Sequence, residues 1–453
     1  LGVAMCLFVG NGLGSLRNSR TSPNREGFST MRRALVASVI SIGLAASLIS
    51  ANPAAADGPI NATQFGMHIP QLSQGLVPGV NYGSVRLWDS GVAWGLVQQG
   101  KNKFWWNGLD ASIANANSQG VDIMYVLGST PTWAATNKKQ GTYPYKGAAS
   151  VPKTKDWEKW VTAVVKRHGG SIGSYQIWNE ANLTDFWAGT PKQMAKLTQV
   201  ASKIIRKYDP TAKVVSASST VRLQSAYKRF FPAYLKELKK VKWPVDVISV
   251  HTYPKGNGTP EDRSIYIDQV NAQLKKSKVP ASKQLWDTEV NYGIKGPGKI
   301  KGQKIGGDKA AAWTAQTYLE NIVKGVGRSY WYFWDAPNSL LAITMQDGYP
   351  GAIGYQTAYM WLNNSFYSCT EGNVNVCQLG DAVQPEVVVW ATQGSGTYTV
   401  PANATVQCDA MNRCSAVTPG DSIAIGSMPL WFGTAEQNAT NQATLLNRPV
   451  ASP

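Results

Sequence analysis

Short apolar runs alternate with longer amphipathic stretches from about residue 62 to about residue 365. The apolar runs are four to six residues long and rich in β-branched and aromatic side chains, which is typical of buried strands. Eight strands are predicted: Phe65–Ile69, Val85–Trp88, Asp122–Leu127, Tyr175–Trp178, Lys213–Ala217, Val245–Val250, Gln284–Thr288 and Ser329–Trp334.

The stretches between these runs carry the three- and four-residue apolar spacing of amphipathic helices. The predicted helices are Trp105–Asn117, Trp157–Arg167, Pro191–Tyr208, Ser225–Lys240, Glu261–Lys275, Lys309–Lys324 and Tyr355–Leu362. Strands that alternate with helices predict βαβ units with a parallel sheet, and eight units in about 300 residues predict an α/β fold closed into a (β/α)8 TIM barrel. A doubly wound open sheet is the alternative, but no Gly-rich nucleotide turn follows the first strand.

The helical period disappears near Ser365, where Pro and Gly separate short β-rich runs such as VVVWATQG and GTYTVPANA. This predicts a small C-terminal β-sandwich over residues 365–453, with a polar, frayed tail from Ala435. Four cysteines lie there in two closely spaced pairs, which predicts two local disulfides in an oxidising compartment. The pairs are Cys369 with Cys377 and Cys408 with Cys414. Zinc is the alternative, but neither spacing fits a finger and no His lies near them.

The first 56 residues are predicted to be absent from the mature protein. Met31 and two arginines precede a long apolar run that ends in Ala54-Ala55-Ala56, the pattern of a secretory signal peptide, and residues 1–30 form an upstream extension. A membrane anchor is the alternative, but serines dilute the run and a processing site ends it, so stable membrane insertion is not expected. The catalytic barrel then spans residues 57–364 of a secreted, cell-wall-associated protein.

The net charge of the chain limits the classes of binding partner that are expected. The chain has a net charge of +17, and removal of residues 1–56 leaves 39 Lys and Arg against 26 Asp and Glu, about +13. Neither a basic helix nor zinc-finger spacing accompanies this charge, so nucleic acid is not expected, whereas an anionic cell-wall polymer is. Solubility of a secreted protein explains the charge equally well. No cofactor or metal is predicted, and the protein is expected to be a monomer.

Polar residues stand where several predicted strands end, on the face where TIM barrels carry their chemistry. In SYQIWNEANL, Asn179 and Glu180 are either a turn or a site. Glu289, 109 positions further on, ends the seventh strand and belongs to the same rim. Two facing carboxyls are what glycoside hydrolysis requires, because one protonates the leaving oxygen and the other attacks or activates water. The alternative for either Glu is a structural salt bridge, for which Arg86 is available.

At these residues the chain resembles a known family. Trp178-Asn179-Glu180 together with the WDTE segment that ends at Glu289 resembles the signature of the clan A retaining glycoside hydrolases. The segments VRLWDSGVAW and VLGSTPTWA are most similar to glycoside hydrolase family 39 and its near relatives, over about residues 62–365. The resemblance implies Glu180 as general acid/base and Glu289 as nucleophile.

The resemblance implies further roles on the rim. Asn179 would bind the 2-hydroxyl of the sugar in the −1 subsite, Arg86 would support the nucleophile, and Trp334 would form the subsite floor. His251 and Tyr253 match positions near the two carboxyls, where the Tyr commonly donates to the nucleophile. Trp133 is expected to stack on a sugar face.

The expected reaction is double displacement on a poly- or oligosaccharide. It requires the carboxyls to lie about 5–5.5 Å apart, whereas about 6.5–9.5 Å would indicate inversion. An Arg beside Glu289 is expected to keep it ionised while a less polar setting holds Glu180 protonated. A catalytically inactive wall-binding protein and a non-enzymatic basic surface protein are the alternatives. The lysine-rich segment 293–307 is either a contact for an acidic glycan or a solvated loop.

Overall fold

The computed structural model describes residues 60–296, 301–335, 341–363, 365, 367–380 and 385–446. All of them belong to one compact unit. The predicted signal segment and its upstream extension lie outside the described residues.

Eight parallel strands form a closed barrel, as predicted. They are β1 (Phe65–Met67), β2 (Ser84–Leu87), β3 (Asp122–Val126), β4 (Ser174–Gln176), β5 (Lys213–Val215), β6 (Val247–His251), β7 (Gln284–Val290) and β8 (Val326–Trp331). Closure comes from parallel pairing of β1 with β8, in which Phe65 lies opposite Ser329. The carboxyl ends of all eight strands therefore meet on one rim.

The barrel interior is layered. An apolar layer contains Met124, Val215, Val247, Trp286 and Tyr330, which form a separate buried cluster. Neighbouring residues on each strand point the other way, toward the helices, because side chains alternate along a strand. Both faces of these strands are buried, which explains why they are continuous apolar runs in the sequence.

A polar layer crosses the barrel nearer the rim. Gln176 donates to the Ser249 hydroxyl at 2.8 Å and to the Thr288 hydroxyl at 3.2 Å, and its carbonyl oxygen accepts from Arg86 Nε at 2.7 Å. The buried amide thus has partners for both its donor and its acceptor groups, as a buried polar group requires. This layer holds Arg86 in place beneath the rim.

In the described part of the chain, seven helices of at least 12 residues surround the barrel: α1 (Asn107–Ser118), α2 (Thr154–His168), α3 (Pro191–Tyr208), α4 (Gln224–Lys240), α5 (Pro260–Ser277), α6 (Gly307–Lys324) and α7 (Pro350–Leu362). A single helical turn, Trp94–Val97, precedes α1. Helices α3 and α5 begin with capping boxes, Thr190 with Gln193 and Thr259 with Asp262, each followed by a proline at the first helical position. The first crossover, between β1 and β2, contains a 3-10 turn at Leu72–Gln74 in place of an α-helix.

The C-terminal region forms two antiparallel sheets, as predicted. Its strands are β9 (Tyr367–Thr370), β10 (Asn375–Leu379), β11 (Glu386–Trp390), β12 (Gly396–Thr399), β13 (Val406–Asp409), β14 (Cys414–Ala416), β15 (Ser422–Ile425) and β16 (Leu430–Gly433). Six strands pair in the order β9-β10-β11-β16-β13-β14, and β12 pairs with β15. Along β11, Val387 and Val389 face a small core inside the sandwich, whereas Val388 and Trp390 join the main core with the barrel.

Both predicted disulfides are present, between Cys369 and Cys377 and between Cys408 and Cys414. Each joins directly opposite residues of neighbouring antiparallel strands. The expectation of a frayed tail from Ala435 is wrong for its first twelve residues, which form helix α8 (Ala435–Leu446). Every helix in the described part of the chain is too short or too polar to cross a membrane.

A buried carboxylate joins the sandwich to the barrel. Glu320 on α6 accepts from Trp390 Nε1 at 3.0 Å and from the Thr392 hydroxyl at 2.6 Å. A cleft of 620 Å³ lies at the same junction, where its lining includes Trp313, Asp308 and Arg413. Two of its four charged residues pair with each other, since Arg413 Nη2 lies 2.7 Å from Asp308 Oδ2, and Glu261 and Lys309 are the others. The chemistry expected from the sequence belongs instead to the barrel rim.

Candidate active site

Arg86 organises one side of the rim. It stands on β2, is fully buried, and its guanidinium donates 2.6 Å to Glu289 Oε1 and 2.7 Å to Asn179 Oδ1. Its Nε is held by Gln176 of the polar layer. A planar guanidinium with three directed partners fixes both Glu289 and Asn179 in one orientation. The salt bridge considered as the alternative for Glu289 therefore exists, and it lies inside the site.

Glu180 lies opposite Glu289 on a strained turn. Strand β4 ends at Gln176, and Glu180 adopts a left-handed backbone conformation with φ of 41°. Its N–H donates to the Ser218 hydroxyl at 2.8 Å, and its carbonyl accepts from Leu183 N at 2.9 Å. Asn179 and Glu180 are thus a turn and part of the site together. Left-handed backbone is unfavourable for a residue with a Cβ and is found preferentially at functional sites.

His251 links the two carboxylic acids. Its Nδ1 lies 3.0 Å from Glu180 Oε1 and 3.3 Å from Glu289 Oε2. One carboxylate oxygen of each Glu and a ring nitrogen of His251 all lie within 4.8 Å of one another. Tyr253 donates its hydroxyl to Glu289 Oε2 at 3.0 Å. His251 and Tyr253, two of the residues expected on the rim, therefore lie beside the two carboxyls, together with Arg86.

The three residues Glu180, His251 and Glu289 also have the spacing of a metal site. The Arg86 guanidinium already occupies Glu289 Oε1 at 2.6 Å. A cation would have to share that carboxylate with a buried positive charge, which disfavours metal binding. The residues fit an acid–base site better.

Burial dominates the ionisation of this cluster. It raises the pKa of Glu180 from 4.5 to about 6, against the opposing charges of Arg222 and Arg86. Burial also raises the pKa of Glu289, against the opposing influence of His251 and Arg86. The pKa of His251 falls to about 4 because its charged form is desolvated. The expected separation of the two acids is therefore incomplete: Arg86 does favour the ionised form of Glu289, but burial offsets its effect.

Part of the chain is similar in sequence to known proteins. The model of the glycosyl hydrolases family 39 matches residues 99–291, a segment that contains both Glu180 and Glu289. A β-xylosidase from Caldicellulosiruptor saccharolyticus is 31% identical over 166 residues, which are 32% of this chain and 32% of that protein. A β-xylosidase from Geobacillus stearothermophilus is 27% identical over 131 residues, 26% of this chain and 25% of that protein.

Solved structures agree at the level of the fold. A family 39 glycoside hydrolase from Bacteroides cellulosilyticus WH2 superposes with a TM-score of 0.63 at 15% identity, over 83% of this chain and 81% of that one. The GH39 enzyme from Xanthomonas axonopodis pv. citri gives a TM-score of 0.59 at 16% identity, over 83% and 95%. The chain is related to glycosyl hydrolase family 39. Its matches to the two β-xylosidases span only about a third and a quarter of their lengths.

A third carboxylate lies on the rim. Asp89 follows β2 in a left-handed conformation with φ of 58°. It accepts from the hydroxyls of Tyr143 at 2.5 Å and Tyr332 at 2.6 Å. Burial raises its pKa, and the two phenol donors oppose this rise. Nothing in the sequence marks the two tyrosines, but Asp89 gave a usable signal as the only acid of VRLWDSGVAW.

The two tryptophans expected to contact sugar differ in their surroundings. Trp334 is buried and follows β8. Its backbone N–H donates to the His68 carbonyl at 2.8 Å, which places it beside the first strand. The Trp133 ring packs edge-on against Trp94, with 6.3 Å between ring centres, and its indole N–H donates to the Gln98 carbonyl at 3.1 Å. Those contacts belong to the aromatic core behind the rim. The role of each ring as a sugar platform stays a prediction.

Proposed function

We propose that this protein is a secreted retaining glycoside hydrolase that cleaves O-glycosidic bonds of a cell-wall or extracellular polysaccharide or oligosaccharide. One observation carries the proposal: two carboxylic acids from β4 and β7 have oxygens within 4.8 Å of each other and share one imidazole. That spacing favours retention, which needs about 5–5.5 Å between the carboxyls, over inversion, which needs roughly 6.5–9.5 Å.

The proposed reaction has two displacements. Glu289 attacks the anomeric carbon while protonated Glu180 donates its proton to the departing glycosidic oxygen, so the C–O bond breaks as the glycosyl-enzyme ester forms. Glu180 then takes a proton from water, whose oxygen attacks the same carbon and releases Glu289 as a carboxylate. A pKa of about 6 suits Glu180 to both steps, because the acid and its base are each populated near neutrality.

The surrounding residues have matching roles. Arg86 and Tyr253 both donate to Glu289, which favours its ionised form and holds it in one position for attack. Arg86 also accounts for the orientation of Asn179: its Nη2 binds the amide oxygen, so the amide nitrogen is left to donate to a sugar hydroxyl. Such a bond can strengthen as positive charge develops on the sugar in the transition state.

Xylosides are the first substrates to test, because both curated relatives are named β-xylosidases. Secretion is supported by two disulfides, which persist in oxidising compartments. The net charge of about +13 that remains after removal of residues 1–56 would attract an anionic wall polymer. The alternative of an inactive sugar-binding protein gains nothing from the site, where both acids and their partners are in place.

The proposal is tested with a panel of aryl glycosides that includes aryl β-xylosides, comparing the wild type, Glu289→Gln and the exposed-residue control Glu158→Gln. The wild type and the control are expected to release aryl alcohol, whereas Glu289→Gln is not. NMR of the first sugar formed should show retained anomeric configuration. Wild-type binding of glycans without turnover would refute the enzymatic proposal, and an inverted product would refute double displacement.

A further inference from the structure

Arg222 is a second arginine on the catalytic rim. It follows Val221, whose N–H donates to the His251 carbonyl at 3.0 Å. Thr220, just before, exchanges two hydrogen bonds with Asn182, at 2.9 and 3.0 Å. The segment that carries Arg222 is therefore tied both to the histidine between the two acids and to the turn that presents Glu180.

The guanidinium of Arg222 is held in place, and no carboxylate of the described residues lies within salt-bridge distance of it, although the charge of Glu180 acts on it. Its Nη1 donates to the Gly296 carbonyl at 2.6 Å, and its buried Nε lacks a hydrogen-bond partner. None of the salt bridges among the described residues includes Arg222. A half-buried guanidinium with an unused donor is unfavourable in the free protein, because desolvation is not repaid by a partner.

The charge of Arg222 also disfavours the protonated form of Glu180, the proposed catalytic acid. Burial lowers the pKa of Arg222, and its positive charge in turn lowers the pKa of Glu180. The attraction is mutual, because the Glu180 charge also favours the charged form of Arg222, but no hydrogen bond joins the two side chains in the described residues. An anion bound to Arg222 would supply a hydrogen-bond partner and would cancel the charge that acts on Glu180.

The adjoining loop also carries positive charge. Lys295 precedes the carbonyl that anchors Arg222, and Gln303 N–H donates to the Gly293 carbonyl at 3.2 Å, which folds the loop back on itself. Lys295 and Lys301 are exposed. Electrostatic attraction would therefore guide an anion toward Arg222.

We propose that Arg222 forms an oxyanion-binding subsite for the leaving group, so that the natural substrate carries a carboxylate, phosphate or sulfate next to the cleaved bond. The leaving-group side follows from position, because the segment with Arg222 is bonded to the Glu180 turn and Glu180 protonates the departing oxygen. This inference rests on the proposed glycosidase function. For Lys295 it also favours the acidic-glycan contact over a merely solvated loop.

The test uses two aryl glycosides of the preferred sugar that differ only in a para group, carboxylate against carboxamide. The wild type should favour the carboxylate by about tenfold in kcat/KM, which is the scale of one charge-assisted hydrogen bond. Arg222→Gln should abolish this preference and Arg222→Lys should keep part of it. Comparing ratios between variants cancels the intrinsic difference between the two leaving groups. Arg229→Gln, which removes an exposed arginine on α4, is the control and should keep the wild-type ratio.

A pH profile separates charge recognition from a structural role. With the carboxylate substrate, the wild-type kcat should persist to higher pH than with the carboxamide, and this difference should vanish in Arg222→Gln. Para-sulfonate and para-phosphonate substrates identify which oxyanion is preferred. Equal carboxylate preference in the wild type and in Arg222→Gln would overturn the inference while leaving the glycosidase proposal intact.

A binding measurement needs no turnover. Calorimetric titration with 4-hydroxybenzoate and 4-hydroxybenzamide, the leaving groups of the two test substrates, should show tighter binding of the benzoate, by about tenfold, in the wild type and not in Arg222→Gln. If the wild type hydrolyses no glycoside, the proposed function fails, and the titration still decides whether Arg222 binds an anion. Equal affinity for both compounds in that titration would refute the anion site.

Discussion

Glu180 is expected to make the fold less stable at neutral pH, so Glu180→Gln should stabilise the protein while it removes the general acid. Burial raises the pKa of this carboxyl from 4.5 to about 6, and its side chain is only 13% exposed. Each tenfold change in proton affinity is worth about 1.4 kcal/mol, so the ionised form costs about 2 kcal/mol in the folded state. Gln keeps the shape and the acceptor oxygen for His251 without the charge.

The pH dependence gives the prediction its sign. The folded protein binds the Glu180 proton more tightly than the unfolded chain, so stability falls as pH rises from about 4.5 to about 6. The gain from Glu180→Gln should therefore be about 2 kcal/mol at pH 7 and should vanish below about pH 4.5. For a domain of this size, 2 kcal/mol corresponds to a rise of about 2 °C in the melting temperature.

Thermal and guanidinium unfolding at pH 4 and pH 7 measure this difference, with Glu158→Gln as the control for loss of an exposed carboxylate. The same variant should lose most activity on glycosides with poor leaving groups, by about 10²–10⁴-fold, because these need a proton donor. A variant that is equally or less stable than the wild type at both pH values would refute the reasoning. It would mean that the ionised carboxylate is well accommodated by its neighbours.

Four further outcomes follow from the site and the sandwich. Glu289→Gln should lower kcat/KM by at least about 10⁴-fold in steady-state assays, and azide should restore turnover of Glu289→Ala as a glycosyl azide of inverted configuration. Arg86→Lys keeps the charge but not three directed bonds, so kcat should fall at least about 10²-fold while circular dichroism stays native. In the wild type, kcat/KM for a slow leaving group should decline above about pH 6, as Glu180 in the free enzyme loses its proton. Removing the Cys408–Cys414 bridge by two Ser substitutions should lower the unfolding free energy by about 2 kcal/mol in denaturant titrations, since the closed loop is short.

Buried strands are readable from sequence where both faces are apolar. Strand β3 was expected over Asp122–Leu127 and is found over Asp122–Val126. Strand β8 illustrates the limit, because Ser329–Trp334 was expected but Val326–Trp331 is found. Its start is hidden by Arg328, which forms a salt bridge with Asp122 and stacks over the Trp286 ring at 4.3 Å. In a sequence, an arginine at the end of a buried strand is typical of a loop, because its partners on neighbouring strands are not known.

Helix α8 forms where the polar composition of the segment predicts a frayed tail, because a capping motif lies at its start. A polar tail is expected to fray, yet Thr434 accepts from Gln437 N at 3.1 Å and its own N–H donates to the Gln437 side chain at 2.8 Å. This capping box is legible in the sequence as T-x-x-Q. What the sequence does not show is the anchor further along, where Asn441 donates to Glu386 of β11 at 2.8 Å.

Some contacts of the candidate site could likewise be predicted from the sequence and others could not. Glu180 and Glu289 could be paired from sequence because a closed barrel brings all strand ends to one rim, whatever the loops between them. The contacts of Asp89 with Tyr143 and of Arg222 with Gly296 depend on how long loops fold back over that rim. Loop conformation is set by packing between distant segments, so a strand-by-strand interpretation does not predict it.

His251 explains how one site can serve both steps of the proposed reaction. With a pKa of about 4 its ring is neutral near pH 7 and carries one proton, and in the tautomer that has this proton on Nδ1 it can donate to one carboxylate at a time. Before attack the negative charge is on Glu289, and after the first displacement it is on Glu180. Since Nδ1 lies 3.3 Å from one oxygen and 3.0 Å from the other, the same N–H can follow the charge without moving the ring. A protonated imidazole would instead hold both acids ionised and leave no proton for the leaving group, so the burial that keeps His251 neutral also keeps Glu180 an acid.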